Sequence, residues 1–193
     1  MKDWNSLFAF MQHCLQTKLP SYLVYHDWDH TAHVIEMAER IALSENATET
    51  EIILIKTAAL FHDAGYLNGV NKGHEEESIV LAKEILPGYG YASVEIDLIT
   101  GMIEATKVPQ LPKNKLECIL ADADLEYLGT TTFKTRGDKL LEELRYFHPE
   151  LNRESWDKIQ IDFLENHYFH TSYCLKNRES LKQLHLKALI KND

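Results

Sequence analysis

Four places in this chain set histidine or acid side chains where apolar sequence meets a loop. His26 and His30 stand in YHDWDHTAHV, residues 25–34, with His33 close behind. His62-Asp63 ends the run EIILIKTAALFHD. His74-Glu75 follows a Gly- and Asn-rich stretch, and Asp122 and Asp124 interrupt LECILADADLEYLG. Residues 52–61 are apolar except Lys56 and Thr57, so His62-Asp63 arrives from a buried segment. A buried carboxylate is costly unless it is paired, hydrogen-bonded or bound to metal. The C-terminal end of a helix carries partial negative charge and favours a cation. A metal ion just beyond residue 63 would answer both demands.

The donor types narrow the ion. Two imidazoles with carboxylates and no thiolate suit Mn, Fe, Mg, Co or Ni in octahedral geometry better than a structural zinc site. Such an ion acidifies water into a nucleophile near neutral pH. Asp122 and Asp124 lie two residues apart, which on a helix separates them by roughly 200°. One of them is then a ligand and the other an outer acceptor that orients a histidine. Spacing does not choose between them.

Helical patterning positions these groups. Trp4, Leu7, Phe8, Met11 and Leu15 recur at helical spacing after Asp3, a natural N-cap, and Pro20 ends the segment. His30, Val34, Met37 and Ile41 form a second stripe, with Asp29 as its expected cap. Thr48 and Glu51 make a capping box before a third helix, apolar on most sides and so expected at the centre. Residues 65–73 read as a loop. HEEESIVLAKEIL reads as a helix stopped by Pro87 and Gly88, Ser93 as the cap of the next, and Asn114 with Glu117 as the start of the ADAD helix. Gly129 reads as a C′ residue. Further helical patterns cover 131–147, 153–168 and 172–190. With no alternating strand pattern, the expectation is all-α: one globular bundle of about eight or nine helices over residues 1–193.

Composition excludes several classes. Net charge is −10, which disfavours polymeric nucleic acid and anionic membranes. A small anionic substrate stays possible, because a metal supplies positive charge locally. No apolar run approaches a membrane span, and MKDWNSLF has no signal-peptide core. Three scattered cysteines without a CxxC argue for a reducing compartment, so the expectation is cytoplasmic.

The order YHxxxH, then HD, then ADADL resembles the HD-domain metal-dependent phosphohydrolase superfamily. His30 and His62 are 32 residues apart, and 59 separate Asp63 from Asp122. The opening block is similar to that of the cyclic-nucleotide phosphodiesterase branch, whereas FHDAGY, HEEES, ATKVPQ and ADADLEYLG resemble small bacterial members. The likeness spans residues 22–130. It implies an all-helical fold and hydrolysis of a small phosphorylated molecule, above all a nucleotide, with one or two divalent ions. His30, His62 and Asp63 would be metal ligands. Asp122 is favoured over Asp124 because ILADADLEYL aligns on the family's apolar–Ala–Asp segment without a gap. Asp63 would also serve the reaction, His26 would protonate the leaving oxygen, and His74 and Glu75 would face the substrate or a second ion. His33 falls on a variable position. Some relatives carry a histidine soon after the AT segment; ATKVPQ has none, so its role does not carry over.

The alternatives are structural and functional. His26 read as a surface-loop residue and His74-Glu75 as a helix-start charge cluster would both be inert. Lys72, Lys107 and Arg178 are loop or helix-end cations, and His167 and His170 read as packing residues. Tyr25 and Trp28 read as core or as stacking platforms. An HD-fold di-iron oxygenase would need more histidines between residues 63 and 122, where His74 stands by itself. A non-catalytic metal- and nucleotide-binding regulatory module would bind without turnover.

Overall fold

The computed structural model describes residues 2–69 and 72–192; of the expected 65–73 loop, positions 70 and 71 lie outside the described residues. The described chain is helical throughout, with no strand. Its α-helices are α1 (Trp4–Lys18), α2 (Trp28–Ser44), α3 (Glu49–Phe61), α4 (His74–Ile85), α5 (Ser93–Glu104), α6 (Lys115–Leu125), α7 (Phe133–Phe147), α8 (Arg153–Asn166), α9 (Ser172–Asn177) and α10 (Glu179–Asn192). Short 3₁₀ turns follow α3, α4 and α6, at Ala64–Asn68, Leu86–Tyr89 and Glu126–Gly129. Ten α-helices among the described residues exceed the expected eight or nine. One reason is a break at Arg178 in the 172–190 pattern.

The sequence signals explain most boundaries. Asp3 caps α1 through Ser6 N, and Asn114 caps α6 through Leu116 N and Glu117 N. Thr48 and Glu51 close a capping box on α3. Two caps differ from expectation. Asp27, not Asp29, caps α2: its carboxylate accepts the His30 N–H at 2.9 Å. An Asp two residues on falls within the first turn, where it favours the dipole but cannot reach back to cap. Likewise Ser93 is the first residue of α5, and Glu95 satisfies the Ala92 N–H instead.

α3 is the central rod, with Leu54, Ile55, Ala58, Ala59, Leu60 and Phe61 all buried. α2 packs on α3 and α6, and α5 on α3 and α4. A hydrophobic core runs from Leu7 in α1 to Cys174 in α9, so the C-terminal helices share it. α2, α3 and α6 therefore bring three distant points of the sequence to one spot.

Two glycines fix approaches that matter. A Cβ on Gly65 would lie 2.0 Å from the His74 carbonyl oxygen, so the turn after α3 backs directly onto the start of α4. Ser78 ties the same junction, donating to the His62 carbonyl and accepting from Gly65 N, each at 2.8 Å. Gly129, expected as a C′ residue, closes its 3₁₀ turn against the Arg178 carbonyl, 2.3 Å from where a Cβ would sit. Small size, rather than positive φ, is what that position requires. Cys14, Cys118 and Cys174 are free thiols, and no helix of the described residues is long and apolar enough to cross a membrane.

Candidate functional site

His30 in the first turn of α2, His62 and Asp63 at the end of α3, and Asp124 near the end of α6 converge. The His62 Nε2 atom lies 3.0 Å from Asp63 Oδ2, 3.2 Å from His30 Nε2 and 3.5 Å from Asp124 Oδ1. His30 Nε2 is 3.2 Å from Asp124 Oδ1 and 3.3 Å from Asp63 Oδ2. His30, His62 and Asp63 are buried, and Asp124 is half-buried at the edge of a cavity.

The chemistry of this quartet could hold a cation. His62 Nδ1 is 2.8 Å from the Ala59 carbonyl, which can only accept, so Nδ1 carries the hydrogen. Nε2 of neutral His62 then presents a lone pair to two carboxylates and a second imidazole. Among the described residues Asp63 Oδ2 is buried without a hydrogen-bond donor. Converging lone pairs of this kind fit a divalent ion held by His30, His62, Asp63 and Asp124; the first, second and last form a candidate metal-binding cluster by proximity alone. The titration tendencies agree. Burial alone would push the histidines down, yet Asp63 and Asp124 hold His30 above its ordinary value and His62 well above it. Burial would raise the two acids, but the imidazoles hold Asp63 and Asp124 well below the carboxylate range. The cluster thus retains positive charge in whatever form is at hand.

Asp122, favoured from the sequence, stands apart from the quartet. Its carboxylate turns away and accepts from His170 N at 2.9 Å, Thr171 N at 2.8 Å and Thr171 Oγ1 at 2.6 Å. It anchors the loop between α8 and α9. A gap-free alignment carried no information on which face of α6 meets α2 and α3; packing decides that.

The remaining expected residues divide between the cavity and its surroundings. His74 Nε2 is 3.3 Å from Asp63 Oδ1, so the two oxygens of Asp63 face different partners. The His74 ring stacks on Tyr66 with centroids 4.3 Å apart, and its Nδ1 is 3.5 Å from Glu75. His26, His74 and Glu75 line the cavity beside Asp63 and Asp124. His33 lies outside it and bonds Glu126 at 2.8 Å. Tyr25 is buried 4.9 Å from the His30 ring, while Trp28 packs edge-on against Phe8. Lys107 pairs with Glu76 and Arg178 with Glu126. His167 packs between Phe163 and Phe169.

One residue escaped the sequence reading. Glu143 of α7 is buried and its Oε1 lies 2.5 Å from His26 Nδ1. Its Oε2 accepts the Tyr25 and His26 backbone N–H groups at 2.8 and 3.0 Å. Burial would raise its pKa, but the His26 bonds hold it below the ordinary value. The available signal was an acid set three residues after Leu140 and four before Phe147, on an otherwise apolar helical stripe.

The cavity above the quartet has a volume of about 460 Å³. Its metal side is polar. Its far side is formed by α7, α8 and the turn after α6, through Leu128, Phe133, Leu144, Trp156, Phe163 and Leu164.

Comparison with known proteins follows the same lines. The HD domain model matches residues 27–126, just over half of the chain and from the cap of α2 to the turn after α6. A predicted HD superfamily hydrolase from an uncultured Thermotogales bacterium superposes with a TM-score of 0.65 at 18% identity, covering 96% of this chain and 88% of its own. Bacillus subtilis YpgQ, solved in complex with ADP, superposes with a TM-score of 0.61 at 18% identity, covering 98% and 96%. No curated protein matches the chain significantly. Carrying the HD model across the stretch that holds the histidine and aspartate quartet, this chain belongs to the HD domain family of metal-dependent hydrolases.

Proposed function

We propose that this protein is a divalent-metal-dependent phosphohydrolase that cleaves a phosphate ester of a small molecule. The observation that carries it is the quartet whose lone pairs converge at the floor of a cavity. His30, His62, Asp63 and Asp124 would hold the ion. When bound, it would polarise phosphoryl oxygens and acidify a water molecule.

The other steps belong to the chain. His26 would give the proton at Nε2 to the leaving oxygen, because Glu143 occupies Nδ1. General-acid help of this kind contributes about 10²–10⁴-fold. Glu143 is a positioning residue: its three hydrogen bonds hold the His26 ring against the backbone of Tyr25 and His26. The second oxygen of Asp63, with Glu75 nearby, would face a second ion, and the His74 ring would donate to a phosphoryl oxygen. The ADP bound to YpgQ places nucleotides among the phosphorylated compounds to be tested.

The test is metal analysis of the purified protein followed by a phosphoester panel. His62→Ala should lose both metal and turnover, and His26→Ala should keep metal and turn over slowly. Full metal content in His62→Ala would refute the site.

A further inference from the structure

The half of the cavity remote from the quartet has a composition of its own. Leu128, Phe133, Leu144, Trp156, Phe163 and Leu164 face it, and no lysine or arginine among the described residues lines it. Beyond the quartet and the His26–His74–Glu75 rim, its polar lining groups are Thr106, Gln160, the hydroxyls of Tyr25 and Tyr127 and the indole N–H of Trp156, which has no hydrogen-bond partner among the described residues. Apart from the imidazoles at the quartet and the rim, the acidic side chains facing the space are Asp63, Asp124 and Glu75. One divalent ion offsets the charge of two of them.

These facts bear on what can be esterified to the phosphate. A site for nucleoside polyphosphates places cationic or backbone N–H groups along the chain of phosphates. Here a second and third phosphate would meet either Glu75 or an apolar wall. A ribose would bury hydroxyl groups where few partners exist, and each unpaired one is penalised. An alkyl or aryl group, by contrast, gains on every carbon it buries against that wall. Most of the wall comes from α7 and α8, beyond the stretch matched by the HD domain model. Substrate choice is thus set largely by helices outside the stretch matched by the HD domain model.

We propose that the preferred substrate is a phosphate monoester of an alcohol with an extended apolar group, seated against the α7–α8 wall. The proposal rests on the phosphohydrolase reading above and narrows it. In the reaction the oxygen of water forms the new bond to phosphorus. The bond from phosphorus to the ester oxygen breaks with its electron pair on that oxygen, which takes the proton of His26. The proton released by water passes to solvent, from which His26 is reprotonated. The products are inorganic phosphate and the apolar alcohol.

The experiment is steady-state kinetics of the full-length, Mn²⁺-loaded protein on ethyl, butyl and hexyl phosphate, with glycerol phosphate, AMP and ATP alongside. kcat/KM should rise by about 3- to 4-fold per methylene until the chain fills the cavity, with AMP below hexyl phosphate and ATP lowest. Leu144→Gln, at a half-buried wall position, should flatten that rise, mainly through KM. Hydrolysis that is flat in chain length, or faster on AMP or ATP than on hexyl phosphate, would overturn this inference and leave the phosphohydrolase reading intact. A steep rise that Leu144→Gln does not alter would overturn the assignment of the wall. Inactivity on every ester, with metal bound, would overturn the phosphohydrolase reading and this inference with it.

Discussion

Replacing Glu143 with glutamine isolates the step that the α7 carboxylate serves. The carboxylate accepts three hydrogen bonds, from Tyr25 N, His26 N and the His26 ring. An amide has the same shape but one acceptor oxygen, so it cannot serve donors on both sides. Either the ring loses its acceptor or the two backbone N–H groups lose theirs. A hydrogen bond to a charged group contributes about 1.5–3 kcal/mol, equivalent to about 10- to 150-fold in rate. That loss should fall on kcat, and only where the leaving oxygen needs a proton. The assay compares an alkyl phosphate, a poor leaving group, with 4-nitrophenyl phosphate, whose phenolate leaves unprotonated. Glu143→Gln should slow the first by that factor and the second by much less, with metal content unchanged. His26→Ala should show the same split, more strongly. Equal losses on both substrates, or loss of metal, would refute the assignment of Glu143 and His26 to leaving-group protonation.

Other consequences can be checked alongside. Asp124→Asn should lose metal, whereas Asp122→Asn should keep it and destabilise the fold by about 1–3 kcal/mol, by leaving a loop donor unpaired; metal analysis and denaturant titration separate the two. Gly65→Ala should cost about 1–3 kcal/mol through overpacking against the His74 carbonyl, measured by urea unfolding. For the metal-free protein, the raised His30 and His62 stabilise fully below pH 6.5, and that contribution disappears as pH rises through their folded values. The depressed Asp63 and Asp124 act in the opposite sense, stabilising above pH 3.8 and losing that contribution as pH falls through their folded values. Added Mn²⁺ should therefore raise the melting temperature more at pH 8.5 than at pH 6, where protons compete for the imidazoles; an equal shift at both would contradict the ligand set.

What was legible in the chain was what is local. Helix starts at Asp3, Thr48 and Asn114 depend on a side chain reaching its own next turn, and all three stand in the structure. His62-Asp63 was legible because a charged pair at the end of an apolar helix has few resting states. The Asp122/Asp124 choice was not, because both sit on one helix and the neighbours of each come from elsewhere. His170 lies 48 residues from Asp122, and His30 lies as far back as α2. Glu143 was less legible still: its bonds span 117 and 118 residues, and no local rule points an acid at a particular loop. The α2 cap was misplaced by two residues because Asp27 and Asp29 are equally good capping residues by type, and the backbone chose between them.

α6 works as a ruler with a mark on each side. On one face Asp124 meets the imidazoles, and on the other Asp122 grips the strap that leads into α9. A single inserted residue between them would rotate one mark by about 100° and advance it by about 1.5 Å, so one grip would have to be released. The loops on either side can lengthen without that penalty. Natural variation in length is therefore expected at positions such as 107–113, while the spacing of these two aspartates stays at two.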